Sequence, residues 1–159
     1  MSEDFFLKYI APYTGIIAKL CRAYTNNQED FEDYYQEVCL QIWKNHSNFK
    51  NQSKWSTWVY KITLNVCMCM LRKEKSTYTG FLPEPNEVQN TAFKNENVNL
   101  LYDAIKKLNE VDKAVILLYL EEKSYKEIAQ IMGTNFNTIG VRINRIKERL
   151  KILLNETNH

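Results

Sequence analysis

The chain has 159 residues, of which 45% are hydrophobic and 25% are charged, and its formal net charge is +2. This length fits one ordinary domain or two small ones, and the composition excludes a disordered chain. With only 4 glycines and 3 prolines, the sequence favours helices over sheets, which need many tight turns. Because the net charge is nearly neutral, any charged partner must be recognised by a local cluster.

The N-terminal segment has the features of neither a secretion signal nor a membrane span. Residues 1–4 are polar and acidic, and Lys8 and Pro12 interrupt the run that follows. No apolar run approaches the roughly 20 residues that a bilayer requires. We therefore expect a cytoplasmic protein without membrane insertion.

The four cysteines lack the spacing of a metal site. They lie within helical patterns, without a pair separated by two residues and without neighbouring histidines. We expect buried, reduced thiols and neither a metal nor a cofactor. These cysteines are Cys21, Cys39, Cys67 and Cys69.

Helical periodicity divides the chain into three parts. We predict an all-α protein with one domain over 1–75, a flexible linker over 76–98 and a second domain over 99–159. The linker is predicted because the apolar period is lost where one glycine and two prolines come close together. The helices predicted in the first domain cover about 4–11, from after Pro12 to about 24, about 31–45, and from 53 or 54 to about 73.

The last of these helices has two distinct faces. A stripe predicted to be buried consists of Trp55, Val59, Ile62, Val66 and Cys69. A different, mostly basic face consists of Lys54, Lys61, Asn65, Met68 and Arg72. This face is either simply solvated or binds a partner. Nearby Phe49, Trp55 and Trp58 favour a partner, because aromatic rings beside cations stack unpaired bases and hold phosphates.

The second domain carries the pattern of a helix-turn-helix. Helices are predicted over about 101–109 and 111–121, the latter capped or opened by Asp112. Ser124 with Glu127 forms a capping box for a short helix, and Gly133 suits a left-handed end. A longer helix follows, and its predicted buried stripe is Ile139, Ile143, Ile146, Leu150 and Leu153.

The longer helix has the side chains of a DNA reader. Its basic residues flank the buried stripe, as expected for contacts to two phosphate backbones; they are Arg142, Arg145, Lys147, Arg149 and Lys151. Opposite the stripe lie Asn137, Val141 and Asn144, which suit base edges and thymine methyl groups. The competing interpretation is an amphipathic helical hairpin with a solvated basic face. Caps, turn and charge together favour DNA.

Both domains resemble bacterial sigma factors. In the first, the motifs are DYYQEVCLQIW at 33–43, Phe49, WVYKITLN at 58–65 and LRK at 71–73; in the second, SYKEIAQIMG at 124–133, TIGVR at 138–142 and RL at 149–150. The two-domain layout with a short linker is similar to the extracytoplasmic-function group. The fold implied is all-α, with a C-terminal helix-turn-helix of winged-helix-like four-helix type.

The resemblance implies three binding surfaces and two protein partners. An acidic helix would dock on the clamp helices of the beta-prime subunit of core RNA polymerase through Asp33, Gln36, Glu37, Leu40 and Trp43. Leu40 could instead be a core residue, and Trp43 fits either role. The minus-ten promoter element would be read as a single strand, and Phe49 and Asn65 would hold a base flipped out of the stack. The residues implied for this surface are Phe49, Lys54, Trp55, Trp58, Lys61, Asn65, Arg72 and Lys73. The minus-thirty-five element would be read as duplex through Asn137, Thr138, Val141, Arg142, Asn144, Arg145 and Arg149. An anti-sigma factor is the second expected partner.

Two other function classes compete with this interpretation. A stand-alone helix-turn-helix regulator would bind an operator without polymerase. An enzyme is disfavoured, because the sequence has no glycine-rich phosphate loop, no metal-ligand spacing and no nucleophile with a plausible base.

Overall fold

The computed structural model describes residues 1–77 and 96–157. These residues form helices joined by short turns, with no β-strand among them, which confirms the all-α prediction. The chain divides into two compact units, Met1–Val88 and Gln89–His159. Most of the predicted linker lies outside the described residues, but 76–77 and 96–98 belong to helices rather than to a linker.

The N-terminal unit is built around three long helices. A short α1 begins the chain, followed by a π-helical and a 3-10 turn, because Pro12 has no backbone N–H to continue an α-helix. The single predicted helix over 4–11 is therefore wrong in detail. The elements are α1 (Glu3–Phe5), a π-helix (Phe6–Ile10), a 3-10 helix (Ala11–Tyr13), α2 (Thr14–Ala23), α3 (Gln28–Asn45), a 3-10 helix (His46–Asn48) and α4 (Trp55–Thr77).

Helix α3 begins three residues earlier than predicted. The side chain of Asn27 accepts a hydrogen bond from the backbone N–H of Asp30 at 2.7 Å, so Asn27 is the N-cap of α3. Such a cap contributes about 1 kcal/mol of helix stability. Glu29 and Asp30 lie in the first turn, where carboxylates are favoured by the helix dipole.

The core of the N-terminal unit brings α2, α3 and α4 together. Cys21 on α2 and Cys67 on α4 are buried, with their sulfur atoms 3.9 Å apart. The hydrogen bond with Cys21 and burial raise the pKa of Cys67 well above its usual value, and burial raises the pKa of Cys39 to about 11. These thiols are free and buried as predicted, but Cys69 is exposed, so the prediction of a buried thiol is wrong there.

The predicted buried stripe of α4 is also wrong in part. Of its five members only Val59 is fully buried, whereas Ile62 and Val66 are half-buried and Cys69 is exposed. Met68, assigned to the polar face, is buried instead. The helix turns a different side to the core, whose buried members are Thr57, Val59, Tyr60, Thr63, Leu64, Cys67 and Met68.

The C-terminal unit consists of four helices in its described part. Helix α6 is capped by Asn109, whose side chain accepts the backbone N–H of Asp112 at 2.9 Å. Asp112 therefore lies inside the first turn, so of its two predicted roles it opens the helix and does not cap it. Helices α5, α6 and α7 pack against the long α8. The bounds are α5 (Glu96–Lys106), α6 (Glu110–Leu120), α7 (Tyr125–Met132) and α8 (Phe136–Thr157).

Within the two described ranges, no helix is long and apolar enough to cross a membrane.

Candidate nucleic-acid interface

The helix-turn-helix of the C-terminal unit is held by local caps. Ser124 accepts the backbone N–H of Glu127 at 3.1 Å, and Gly133 ends α7 in the left-handed region with φ of 71°. Asn135 then caps α8, because its side-chain oxygen accepts both the backbone N–H and the hydroxyl of Thr138, at 2.8 and 2.9 Å. Ser124 as the N-cap and Gly133 as the left-handed end of α7 are confirmed, whereas of the predicted capping box only the hydrogen bond to Ser124 is found. The turn thus fixes where α8 begins.

Helix α8 separates a buried side from an exposed one. All five members of the predicted buried stripe are buried. Val141 on the opposite side is 55% exposed. A helix that presents polar side chains and a valine outward, on a rigid apolar backing, fits a major groove. The residues predicted to read duplex DNA that are exposed are Asn137, Thr138, Val141, Asn144, Arg145 and Arg149.

Arg142 is the exception among the predicted duplex readers. It is only half-exposed, and its Nη1 donates to Oδ1 of Asp112 on α6 at 2.8 Å. The ion pair links residues 30 positions apart in sequence, which no local pattern indicates. Arg142 therefore contributes to the packing of α6 on α8, whatever else it contacts.

Lys147 also points toward the domain rather than outward. Its ammonium donates to the hydroxyl of Tyr119 at 2.8 Å and lies 4.5 Å from the centre of that ring. The hydrogen bond with Tyr119 raises the pKa of Lys147 above its usual value. The charge is thus directed to α6, and the place of Lys147 among the residues that clamp a phosphate backbone stays a prediction.

Phe136 is an exposed aromatic residue that the sequence interpretation missed. It opens α8, is 57% exposed and lies 5.7 Å from the ring of Tyr125 on α7. A β-carbon at Gly140 would lie 3.6 Å from the Tyr125 ring, an ordinary contact distance, so Gly140 leaves this ring room without being required for it. The signal available in the sequence was an aromatic residue at the start of the candidate recognition helix.

The aromatic residues of the N-terminal unit form one cluster. The rings of Phe49, Trp55 and Trp58 lie 4.8 to 5.6 Å apart, centre to centre. All three side chains are half-buried. Ring faces that are packed yet partly open can accept a further flat ring, which is what unpaired bases offer. We call Phe49, Trp55 and Trp58 the aromatic cluster.

The N-terminal segment supports this cluster, which the sequence did not indicate. The indole nitrogen of Trp55 donates to the backbone carbonyl of Tyr9 at 2.9 Å, and the two rings lie 5.4 Å apart. Phe5 in turn packs on Tyr9 and on the ring of His46, at 5.1 and 4.7 Å. The spacing of Phe5 and Tyr9, one helical turn apart, was the only hint. Tyr9 thus contacts Trp55, the first residue of α4, and Phe5 packs on Tyr9.

A groove of about 600 Å³ lies between α3 and α4. It brings Asn65 and Lys73, predicted to contact the minus-ten element, next to Glu37, predicted to contact polymerase. Phe49 does not line this groove. Phe49 and Asn65, the two residues predicted to hold a flipped base, therefore do not share this cavity. The lining residues are Glu37, Gln41, Asn45, Ile62, Asn65, Val66, Cys69, Met70 and Lys73.

The side chains predicted to dock on polymerase lie along one side of α3. Asp33 and Gln36 are exposed, and Glu37 is half-buried and accepts a hydrogen bond from Gln41 at 2.7 Å. Leu40 is 37% exposed, so its alternative interpretation as a core residue is wrong. Trp43 is half-buried. The helix therefore presents carboxylates and one leucine to solvent.

The remaining cations predicted to hold the minus-ten strand are accessible. Lys54, Arg72 and Lys73 are exposed and Lys61 is half-buried. They lie from the start of α4 to its last turns, so they can follow a nucleic-acid backbone along the helix.

Among residues 1–77 and 96–157, no three acidic, histidine or cysteine side chains are grouped as metal ligands.

Two family models match the chain. The model described as Sigma-70 region 2 matches residues 10–77, and the model described as Sigma-70, region 4 matches residues 99–150. The ECF RNA polymerase sigma factor SigW of Bacillus subtilis is 29% identical over 170 aligned positions, covering 94% of this chain and 88% of that protein. The ECF RNA polymerase sigma-E factor of Escherichia coli K12 is 26% identical, covering 89% of this chain and 82% of that protein.

Solved structures with a similar fold include two sigma-factor complexes. The first is the sigma factor RpoE in complex with the anti-sigma factor NepR from Bartonella quintana, with a TM-score of 0.79 and 21% identity over 97% of this chain and 98% of that one. The second is CnrH in complex with the cytosolic domain of CnrY, with a TM-score of 0.73 and 18% identity over 98% of this chain and 90% of that one. At these identities the likeness supports the fold.

Proposed function

The chain belongs to the extracytoplasmic-function family of RNA polymerase sigma factors and initiates transcription, and we propose that it divides promoter recognition between its two units. In this proposal domain 1–75 binds core polymerase and the single-stranded minus-ten element, and domain 99–159 reads the minus-thirty-five duplex. The segment between α4 and α5 connects them. The observation that carries the proposal is the contrast between a half-open aromatic cluster in one unit and an exposed polar helix face in the other.

The minus-ten surface consists of the aromatic cluster and the cations along α4. Unpaired bases stack on aromatic faces, and each stacked base contributes about 1–3 kcal/mol. Capturing a base on Phe49 stabilises the opened promoter, because a duplex does not offer that base. Asn65 lines the groove between α3 and α4, where its amide can hydrogen-bond a base edge. Melting is thereby coupled to binding without any catalytic residue.

The polymerase-binding surface is the exposed side of α3. Its carboxylates suit basic residues on the beta-prime clamp helices, and Leu40, 37% exposed, supplies apolar contact. A factor that acts through RNA polymerase works in the bacterial cytoplasm. An anti-sigma protein is the second proposed partner, because the similar RpoE was solved in complex with an anti-sigma factor.

Reconstitution with core polymerase tests this function. The purified chain should co-purify with core polymerase and direct a discrete transcript from a supercoiled template. Asp33→Ala should reduce core binding several-fold, whereas Asp4→Ala, which removes an exposed acid from α1 instead of α3, should not. Tight binding to an operator duplex without any polymerase association would instead favour the stand-alone regulator.

A further inference from the structure

Asp112 and Arg142 join two helices of the C-terminal unit. Arg142, on the second turn of α8, donates through Nη1 to Oδ1 of Asp112, in the first turn of α6, at 2.8 Å. The two side chains are 37% and 22% exposed. The pair is therefore partly shielded from water, unlike a fully exposed ion pair, which contributes little to stability.

Asn109 fixes the Asp112 carboxylate from its other side. The Asn109 amide nitrogen donates to Oδ2 of Asp112 at 3.1 Å, while its oxygen accepts the Asp112 backbone N–H at 2.9 Å. A carboxylate in the first turn is also favoured by the positive end of the α6 dipole. The acceptor is thus held in place independently of Arg142, so it can orient the guanidinium.

Arg142 lies at the edge of the exposed face of α8 and not within it. Asn137, Val141 and Asn144 form the centre of that face, while Arg142 is turned toward α6. Bidentate recognition of guanine requires two parallel donors directed at the groove floor. One arm of the guanidinium is committed to Asp112, and its remaining donors are left for a phosphate of the DNA backbone, which borders a helix in the major groove.

We propose that Asp112 is a positioning residue for promoter recognition, which holds Arg142 at the edge of α8 so that the guanidinium binds a backbone phosphate instead of a base. The inference rests on the proposed function of α8 as the reader of the minus-thirty-five duplex. It reverses the expectation from charge alone. Removing an acid near DNA should strengthen binding, whereas losing Asp112 weakens it because Arg142 is no longer pre-ordered.

Duplex binding by the full chain tests the proposal. The probes are a duplex that the wild-type chain selects from a randomised pool and a shuffled duplex of the same composition, measured over a salt series. Arg142→Ala should weaken both by a similar factor and reduce the slope of log affinity against log salt by about one. Asp112→Ala should weaken both about three- to tenfold, since a free arginine must be ordered on binding.

Glu148→Ala is the matched control. Glu148 is also an acid paired with a cation of α8, Lys151, at 3.1 Å, but the side chains are 72% and 71% exposed. Its removal should leave affinity unchanged or slightly raised. In the Arg142→Ala background, Asp112→Ala should cause no further loss of affinity, because its effect acts through Arg142.

Several results overturn the proposal. One is an Asp112→Ala variant whose duplex affinity equals that of the Glu148→Ala control. Another is an Arg142→Ala variant that loses affinity for the selected duplex only, because Arg142 would then contact a base. An unchanged salt slope in Arg142→Ala, with only the melting temperature lowered, leaves a purely structural ion pair and also contradicts it. If neither the wild-type chain nor its complex with core polymerase selects a duplex, the proposed function of α8 fails together with this inference.

Discussion

The two surfaces proposed to read the promoter are constructed differently. On α8 the exposed side chains are backed by a separate apolar stripe, so, apart from Arg142, the residues proposed to contact DNA differ from those that pack the unit. In the aromatic cluster the same three rings do both, because they pack on one another, and Trp55 also on Tyr9, while staying partly open. Duplex DNA needs only side chains on a rigid support, whereas unpaired bases need aromatic faces, which are most stable when partly covered.

The largest expected effect distinguishes stacking from stability. Phe49→Ala should reduce promoter melting about tenfold or more, because a stacked base contributes about 1–3 kcal/mol. Permanganate reactivity of unpaired thymines in the holoenzyme–promoter complex measures this. Phe31→Ala is the matched control, since Phe31 is also a half-buried phenylalanine of this unit but belongs to no proposed surface. Equal defects in promoter melting in the two variants would show that the loss comes from a less stable fold and not from a lost stacking contact.

The next effect concerns the exposed face of α8. Arg145→Ala should weaken binding to the selected duplex by about tenfold while changing the free energy of unfolding by less than about 0.5 kcal/mol, because the side chain is exposed. Lys107→Ala removes another exposed cation from the same unit and should affect binding much less. A marked loss of stability in Arg145→Ala would break the separation between reading and folding on α8.

A smaller effect tests whether the N-terminal segment supports the aromatic cluster. Trp55→Phe keeps an aromatic ring but removes the donor to the Tyr9 carbonyl, which lies 2.9 Å from the indole nitrogen. The free energy of unfolding should fall by about 0.5–1.5 kcal/mol, and promoter melting should fall a few-fold. Chemical denaturation and the permanganate signal together measure this. Unchanged melting despite lower stability would mean that Tyr9 does not position the minus-ten surface.

The smallest effect should raise stability without touching either surface. Glu122, after α6, has φ of 63° in the left-handed region, and its N–H bonds to the carbonyl of Tyr119 at 3.0 Å. Glu122→Gly should therefore increase the free energy of unfolding by about 0.5–1 kcal/mol. Glu121→Gly, where φ is −83°, should lower it instead. Thermal unfolding checks both, and duplex affinity should stay constant.

Sequence alone predicted what local forces determine. Local sequence determines the caps at Ser124 and Gly133 and the predicted buried stripe of α8. All of these are found in the structure. The buried side of α4 was predicted in the wrong phase, because the groove beside α3 leaves Ile62 and Val66 partly open. Periodicity shows where the apolar residues of a helix lie, but it does not show which of them another helix covers.

Contacts between distant residues could not be predicted. The Arg142–Asp112 pair spans 30 positions and the Trp55–Tyr9 hydrogen bond spans 46. Each depends on how helices pack, and the sequence shows only an arginine among other cations and a tryptophan among other aromatic residues. The roles of both residues therefore became more specific once the packing was known.

Transcription on two templates tests the division of labour most directly. One promoter is fully duplex, and the other has its minus-ten element held unpaired by mismatches; holoenzymes with Phe49→Ala or Arg145→Ala are compared on both. The Phe49→Ala defect should shrink several-fold on the unpaired template, because melting is already done, and the Arg145→Ala defect should be the same on both. If unpairing the element rescues both variants equally or neither, the two units do not divide promoter recognition in this way.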